Sequence, residues 1–364
     1  MGFKCGIIGL PNVGKSTIFT ALSNIQVDRA NFPFTTVEPN RAVVPVKDER
    51  LYKVAEVASS QEATPAVLEI VDIAGLIEGA SRGEGLGNRF LANIREMDLL
   101  LHVLRGFEAA DVPHLPGNPD PRRDIDIVET ELILADIGTM EKRKEKLQRE
   151  AKSGSSETKK ELKLVEEVFN QLNDGRPARE MIFTPEERAF IYNWQLLTDK
   201  SVIYVLNIGE ESLTKEGQVE LGREISSYKI EEPVITISAS IELELSGLEE
   251  DVKQEFMQEY GMAETGLNRL IKVGYRYLGL ITFFTIKGKE ARAWAVPRGT
   301  TAQKGAGKVH SDMERGFIKA EVIQYEELIE EGSFNRAKEK GMIRIEGKEY
   351  ELNDGDVVLF HFRA

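Results

Sequence analysis

The sequence predicts an α/β protein built on a doubly wound parallel sheet, interrupted by a pair of long helices and followed by a small β-rich domain. Three observations carry that prediction. Short apolar runs ending in glycine or polar residues recur on both sides of the helical stretch, as strands buried on both faces do. Helical patterns lie between most of these runs, which sets helices against a parallel sheet. One turn, Gly9-Leu10-Pro11-Asn12-Val13-Gly14-Lys15-Ser16, has the glycine and lysine spacing of a phosphate-binding loop.

The first strand, Cys5–Ile8, feeds that turn, and a helix is expected over Thr17–Leu22. A GxxxxGKS turn exposes consecutive backbone N–H groups, and the helix behind it adds partial positive charge at its N-terminus. Together they make a cradle for phosphate. Lys15 is placed to reach the β- and γ-phosphates, and the Ser16 hydroxyl to coordinate Mg²⁺. Asn12, Val13, Gly14, Lys15, Ser16 and Thr17 are the candidate phosphate contacts, and the chain is expected to bind a nucleoside triphosphate.

Four further runs read as strands: Val67–Ile73, Leu99–Leu104, Val202–Leu206 and Val234–Ile237. In such sheets ligands sit beyond the carboxyl ends of the strands. Asp72-Ile73-Ala74-Gly75 closes the first of the four as DxxG. An acid there can hold Mg²⁺ through a water, and the Gly75 N–H can meet the γ-phosphate. The glycine-dense stretch from Gly79 to Gly87 reads as a switch segment ordered by that phosphate. Between the turn and DxxG lies Asn31-Phe32-Pro33-Phe34-Thr35-Thr36-Val37-Glu38-Pro39, whose Thr36 or Thr35 can complete the Mg²⁺ shell.

The base-reading end departs from the usual pattern. Guanine sites end a later strand in NKxD, whereas Val202–Leu206 runs into Asn207-Ile208-Gly209-Glu210. Isoleucine replaces the lysine and a longer glutamate replaces the aspartate, so the matched guanine acceptor is lost. Backbone carbonyls or Glu210 can instead accept from an adenine amino group, with Ser238 and Ala239 at the end of the next strand supplying a wall. ATP preference is expected. Leu76 follows DxxG where related enzymes place a glutamine that orients the attacking water. Leucine can neither donate nor accept. His102 and His114 are the nearby alternatives: His102 sits inside a strand, where a core role suits it, and His114 lies in a Pro/Gly-rich loop able to swing.

About a hundred residues separate the Leu99–Leu104 and Val202–Leu206 strands, far more than a crossover needs. Ile133, Ile137, Met140, Lys144 and Leu147 form one heptad seam, and Leu162, Val165, Phe169 and Leu172 a second after the break at Ser153–Ser156. Two antiparallel helices packed as a coiled-coil hairpin are expected, followed by a helix capped at Thr184-Pro185-Glu186-Glu187. Either a solvated arm or a docking arm for a large partner fits the Lys/Glu-rich exposed faces.

From about Leu280 the pattern changes to short strands, Ile281–Ile286, Arg292–Val296, Ile343–Ile345, Glu349–Leu352 and Val357–Phe362, with one helix at Glu321–Glu330. A ubiquitin-like β-grasp domain suits this arrangement. The expected domains are 1–123 and 200–279 for the nucleotide unit, 124–199 for the helical insertion and 280–364 for the β-grasp unit.

The net charge of −14 argues against general polyanion binding. Yet Lys287, Lys289, Arg292, Arg298, Lys304, Lys308, Arg315 and Lys319 face only Glu290, Asp312 and Glu314 in the same window, a local excess of positive charge. That window is either an ordinary solvated surface or a contact for nucleic acid or ribosome. No run approaches a membrane span, and the N-terminus enters a strand at once, without a leader-like segment. Cys5 is the single cysteine, so internal disulfides are excluded and a cytoplasmic location is expected.

With these motifs assembled, the chain resembles, end to end, the YchF/Obg-like ATPase family of P-loop proteins. The carrying residues are Gly9–Ser16 as GLPNVGKS, Asn31–Pro39 as NFPFTTVEP, Asp72–Gly75 with the glycines to Gly87, and Asn207–Glu210 as NxxE. His310–Phe317, as HSDMERGF, is similar to part of a TGS domain. The resemblance implies a Mg²⁺-dependent ATPase with weak intrinsic hydrolysis, a coiled-coil insertion, a C-terminal TGS domain with RNA contact, and association with the ribosome or its large subunit. It carries Mg²⁺ ligation to Ser16 and Thr36, adenine contacts to Asn207 and Ile208 with Glu210 nearby, and a catalytic histidine to His114. Asn12 matches an asparagine that helps bind K⁺ in related P-loop GTPases. Two other readings stay open: a GTPase with a degenerate base site, and a nucleotide-gated binding module with negligible turnover.

Overall fold

The computed structural model describes residues 3–25, 40–73, 86–109, 114, 118–151, 155–213 and 232–363. Seven strands come first along the chain: β1 (Phe3–Ile8), β2 (Arg41–Pro45), β3 (Glu62–Thr64), β4 (Val67–Asp72), β5 (Leu99–Gly106), β6 (Ser201–Ile208) and β7 (Val234–Ile237). Six of them form one sheet in the order β2-β4-β1-β5-β6-β7, parallel throughout except for antiparallel β2. The central strands explain the unbroken apolar runs: Leu99, Leu100, Leu101, Val103 and Leu104 are all buried, since both faces of β5 are covered. The five strands expected in this sheet are present. Edge strand β2 escaped notice because it is only five residues long, opens on an exposed arginine and ends on a proline.

Helix α1 (Lys15–Ser23) starts directly after the glycine turn. Helix α2 (Glu49–Val57) is capped by Asp48, which accepts from the Arg50 backbone N–H at 3.0 Å. Helix α3 (Leu86–Arg95) precedes β5.

The insertion consists of α4 (Pro121–Glu150), α5 (Ser156–Asn173) and α6 (Pro185–Trp194). The first two lie side by side, with Arg143 2.9 Å from Glu161. Helix α6 has the expected capping box between Thr184 and Glu187. The seam on α4 buries Ile133, Met140 and Leu147 as foreseen. On α5 the buried face is Leu164, Val165, Val168 and Leu172, while Leu162 and Phe169 are only half-buried. The reason is a third helix: Ile191 and Trp194 of α6 join the same core, so three helices share it and the contact stripe on α5 turns toward both neighbours. Asp136 of α4 ties this unit to the sheet. Fully buried, it accepts from the Leu197 and Thr198 backbone N–H groups at 3.0 and 2.8 Å and from the Thr198 hydroxyl at 2.7 Å.

The C-terminal sheet contains β8 (Leu280–Lys287), β9 (Glu290–Pro297), β10 (Phe317–Gln324), β11 (Arg344–Glu346) and β12 (Asp356–Phe362). Its order is β11-β10-β12-β8-β9-β3. Two expectations need correction here. Glu321–Gln324 belong to β10, and the helix begins at Tyr325 and runs to Glu331. Charge misled the reading, because Glu321 looks like a helix-surface residue yet is buried in the sheet, 2.9 Å from Lys338 and 3.2 Å from His361. Glu349–Leu352 is not a strand; it makes one isolated bridge, Thr301 to Glu351.

The sixth strand was not foreseen. β3, from the N-terminal half, pairs in parallel with β9, Glu62 opposite Glu290 and Thr64 opposite Arg292. Beside it the Arg50 guanidinium donates to Asp48 and to Asp354, each at 2.8 Å, and lies over the Phe284 ring. Asp354 in turn accepts from the Thr282 N–H at 2.8 Å. Leu51 and Val54 of α2 share a core with Phe284, Ala291 and Leu328, so the two halves are packed as well as paired. No helix among the described residues is long and apolar enough to cross a membrane.

Candidate nucleotide site

At the carboxyl end of β1 the chain turns tightly. Gly9 has φ 145°, and a Cβ on it would stand 2.5 Å from the Val103 carbonyl oxygen. Gly14 has φ 99°, and a Cβ there would meet Asn207 Nδ2 at 2.2 Å. Both positions therefore demand glycine for space as well as for backbone conformation. Asn12 between them has φ 63°, a left-handed conformation that asparagine tolerates.

Lys15, the first residue of α1, folds back over this turn and donates from Nζ to the Leu10 carbonyl at 2.6 Å. Burial pulls its pKa down to about 8, with the nearby Asp72 carboxylate pulling the other way. Ser16 donates to Asp72 Oδ2 at 3.4 Å, a long contact. Asp72 Oδ1 is buried and has no hydrogen-bond partner among the described residues, and burial raises the carboxyl pKa against the pull of Lys15 and Ser16. A hydroxyl beside a carboxylate with an unsatisfied oxygen suits hydrated Mg²⁺, which takes few protein ligands and completes its shell from phosphates and water. Among the described residues no group of three or more His, Cys, Asp and Glu side chains forms an all-protein cage.

The base end is assembled from three strand termini. The Asn207 side chain, buried at the end of β6, donates from Nδ2 to the Val13 carbonyl at 3.0 Å and accepts at Oδ1 from the Ala239 N–H at 3.0 Å. It thus braces the phosphate turn against the segment after β7. Phe107, just past β5, is fixed by Arg105, whose guanidinium lies 4.5 Å from the ring centroid and donates to the Phe107 and Ala109 carbonyls at 3.1 and 3.4 Å.

These parts enclose one cavity of about 440 Å³, lined by Asn12, Gly14, Lys15, Ser16, Thr17, Phe107, Asn207, Ile208, Gly209, Ala239 and Ser240. Eight of the sequence-predicted residues are among them. Val13 sits behind the wall and offers its carbonyl to Asn207. Ser238 is buried, with its hydroxyl 3.1 Å from that of Ser240, and Glu210 is exposed at the start of a short 3₁₀ turn; neither lines the cavity. Thr36 and Gly75 lie outside the described residues. Sequence reasoning missed Phe107 and Ser240. The signal for Phe107 was its place one residue beyond the carboxyl end of a central strand.

His114 is seated away from these groups. Its Nε2 lies 2.9 and 3.2 Å from the two carboxylate oxygens of Asp124 in the first turn of α4, both side chains are 2 % exposed or less, and Nδ1 has no partner among the described residues. His102 is a core residue of β5, held neutral because burial, with Lys15 and Arg179 nearby, lowers its pKa to about 3. In the basic window, Lys287, Lys289, Arg298, Lys304 and Arg315 are exposed, whereas Lys308 lies over the Phe3 ring and Arg292 over Trp294.

Comparison with known proteins agrees with this geometry. A family described as "50S ribosome-binding GTPase" matches residues 4–126, and the YchF-GTPase_C family, described as a protein of unknown function (DUF933), matches residues 280–363. Curated relatives named "Ribosome-binding ATPase YchF" are similar along the full length of both chains, with 47 % identity in Haemophilus influenzae and 45 % in Escherichia coli O157:H7. The solved structure of the Schizosaccharomyces pombe YchF GTPase superposes with a TM-score of 0.88 at 33 % identity, covering 99 % of this chain and 98 % of that one.

Proposed function

The chain belongs to the YchF family of P-loop ATPases, and on that premise we propose that it is a Mg²⁺-dependent, ribosome-associated ATP switch. One observation supports the nucleotide part best: the phosphate turn, Lys15 and Ser16, whose hydroxyl reaches Asp72 behind it, share a single cavity with a base end that lacks a guanine-reading aspartate. In this reading the turn's N–H groups and Lys15 hold the β- and γ-phosphates. Ser16 and Thr36 ligate Mg²⁺ directly and Asp72 through water, and Gly75 contacts the γ-phosphate. Held there, Mg²⁺ would supply positive charge to the phosphate oxygens. Asn12 assists K⁺ where that ion is used.

Adenine lies along Ile208 and Gly209 against Phe107, with Asn207 bracing the pocket, Glu210 near its mouth and Ser238–Ala239 behind. His114 positions the attacking water in place of the glutamine that Leu76 replaces. We assign 1–123 and 200–279 to the nucleotide unit, 124–199 to a coiled-coil arm and 280–364 to a TGS domain of β-grasp type. The strand order β11-β10-β12-β8-β9 supports that last assignment. The arm and the exposed cations of the C-terminal unit would meet the ribosome and its RNA in the cytoplasm.

Titration of nucleotide-free protein with ATP and with GTP, each with Mg²⁺, tests the base reading. Tighter ATP binding is expected. Tighter GTP binding would favour the second reading, a GTPase, as the fungal relative is titled. Ribosome co-sedimentation over a salt series tests the partner, with a full-length Lys287→Glu, Lys289→Glu, Arg298→Glu variant losing affinity and salt slope. Hydrolysis that ribosomes leave negligible would instead favour a binding module.

A further inference from the structure

We propose that Asp124 is a positioning residue that holds His114 in a resting seat outside the nucleotide cavity, so that breaking this one contact raises basal ATP turnover. The inference rests on the reading of His114 as the residue that positions the attacking water.

Three features carry it. The seat is closed: the His114 and Asp124 side chains are 2 % and 1 % exposed, with Nε2 against both carboxylate oxygens. A carboxylate at Nε2 fixes the proton there, which leaves Nδ1 as the bare acceptor, and Nδ1 is buried without a partner among the described residues. An acceptor able to take a hydrogen bond from water is thus present but sealed off, and His114 is not among the residues lining the cavity. The two partners also differ in attachment. Asp124 is built into the first turn of α4, whereas His114 belongs to the connection between β5 and that helix. If His114 enters the cavity, it leaves the carboxylate behind.

Turnover then scales with the small fraction of molecules in which the seat is vacated. The other charged groups around the carboxylate are Arg123, 3.7 Å away, and Asp120 at the helix cap. Helix α4 is continuous from Asp124 to Glu150 at the far end of the arm, 27 residues, or about 40 Å at 1.5 Å each. A partner that shifts α4 together with its Asp136 anchor displaces the carboxylate, which couples docking to release.

The test is steady-state ATP hydrolysis by the full chain without ribosomes. Asp124→Asn weakens a charge-assisted hydrogen bond to a neutral one and is expected to raise kcat about five-fold with KM unchanged. Asp124→Glu, which keeps the charge, should stay nearer the parent rate. His114→Ala should lower the rate, and adding it to Asp124→Asn should remove the gain. If His114→Ala alone leaves turnover unchanged, the role of His114 itself fails. If His114→Ala lowers turnover but Asp124→Asn leaves it unchanged or lowers it with melting temperature intact, the seat fails. A gain that persists in the double variant also overturns it. Should Asp124 variants not fold, ring-nitrogen NMR of the unsubstituted protein decides, since the seat requires a His114 Nε2–H shielded from solvent exchange and an Nδ1–H or freely exchanging ring refutes it.

Discussion

The two ends of the nucleotide cavity are made in opposite ways. The phosphate end comes from eight consecutive residues, Gly9 to Ser16, and its shape is set by backbone conformations that glycine and asparagine allow. The base end is gathered from the ends of β5, β6 and β7, and its central residue, Asn207, points its amide at protein backbone on both sides. In the proposed function, phosphate recognition is local and electrostatic, whereas base recognition is assembled and depends on the fold holding three strand ends together. Variants that affect inorganic tripolyphosphate and ATP alike act on the phosphate turn, including through its brace Asn207, and variants that affect ATP alone act on the base end.

The largest effect is expected at Lys15. Lys15→Ala removes the cation that meets the transferring phosphoryl group and should lower single-turnover hydrolysis about a thousand-fold. A loss of only a few-fold would assign Lys15 to closing the turn over the Leu10 carbonyl instead. Asn207→Ala strands the Val13 carbonyl and the Ala239 N–H together, at about 1–3 kcal/mol each. Melting temperature should fall, and tripolyphosphate should weaken along with ATP, because Asn207 braces the phosphate turn. Phe107→Ala should weaken ATP about ten-fold, as loss of a stacked aromatic does, and leave tripolyphosphate unchanged.

The smallest effect is one of pH. Burial lowers Lys15 to about 8, and bound phosphate favours its charged form, so binding above that pH must take up a proton. Affinity for both ligands should fall about three-fold between pH 7.5 and 8.5, with proton uptake visible by calorimetry in buffers of different ionisation enthalpy. Equal affinities across that range would place Lys15 near its ordinary value.

The same contrast explains what the sequence disclosed. The phosphate turn was legible because its chemistry is contiguous, and β5 and β6 because burial on both faces leaves unbroken apolar runs. Asn207 was found through a motif, but the identity of its partners was not, since Val13 and Ala239 contribute only backbone atoms. Phe107 carried no motif at all. Glu321 read as a helix-surface residue because a strip of sequence does not show Lys338 and His361 closing around a carboxylate. Strand β3 was invisible for a related reason: three residues with one buried position have no periodicity, and their partner lies in the last quarter of the chain.

That borrowed strand has a consequence for how the protein is made. Glu62–Thr64 emerge early in synthesis, while β9 is added only near the end, so the edge they occupy stays open until most of the chain exists. Such distant pairing forms late and slowly. Arg50 waits in the same way for Asp354. The C-terminal domain is therefore no interchangeable appendage. A chain cut short before β8 would leave an unpaired strand edge and a half-buried arginine on the nucleotide half, and changes fixed in either half are tested by the fit of the other.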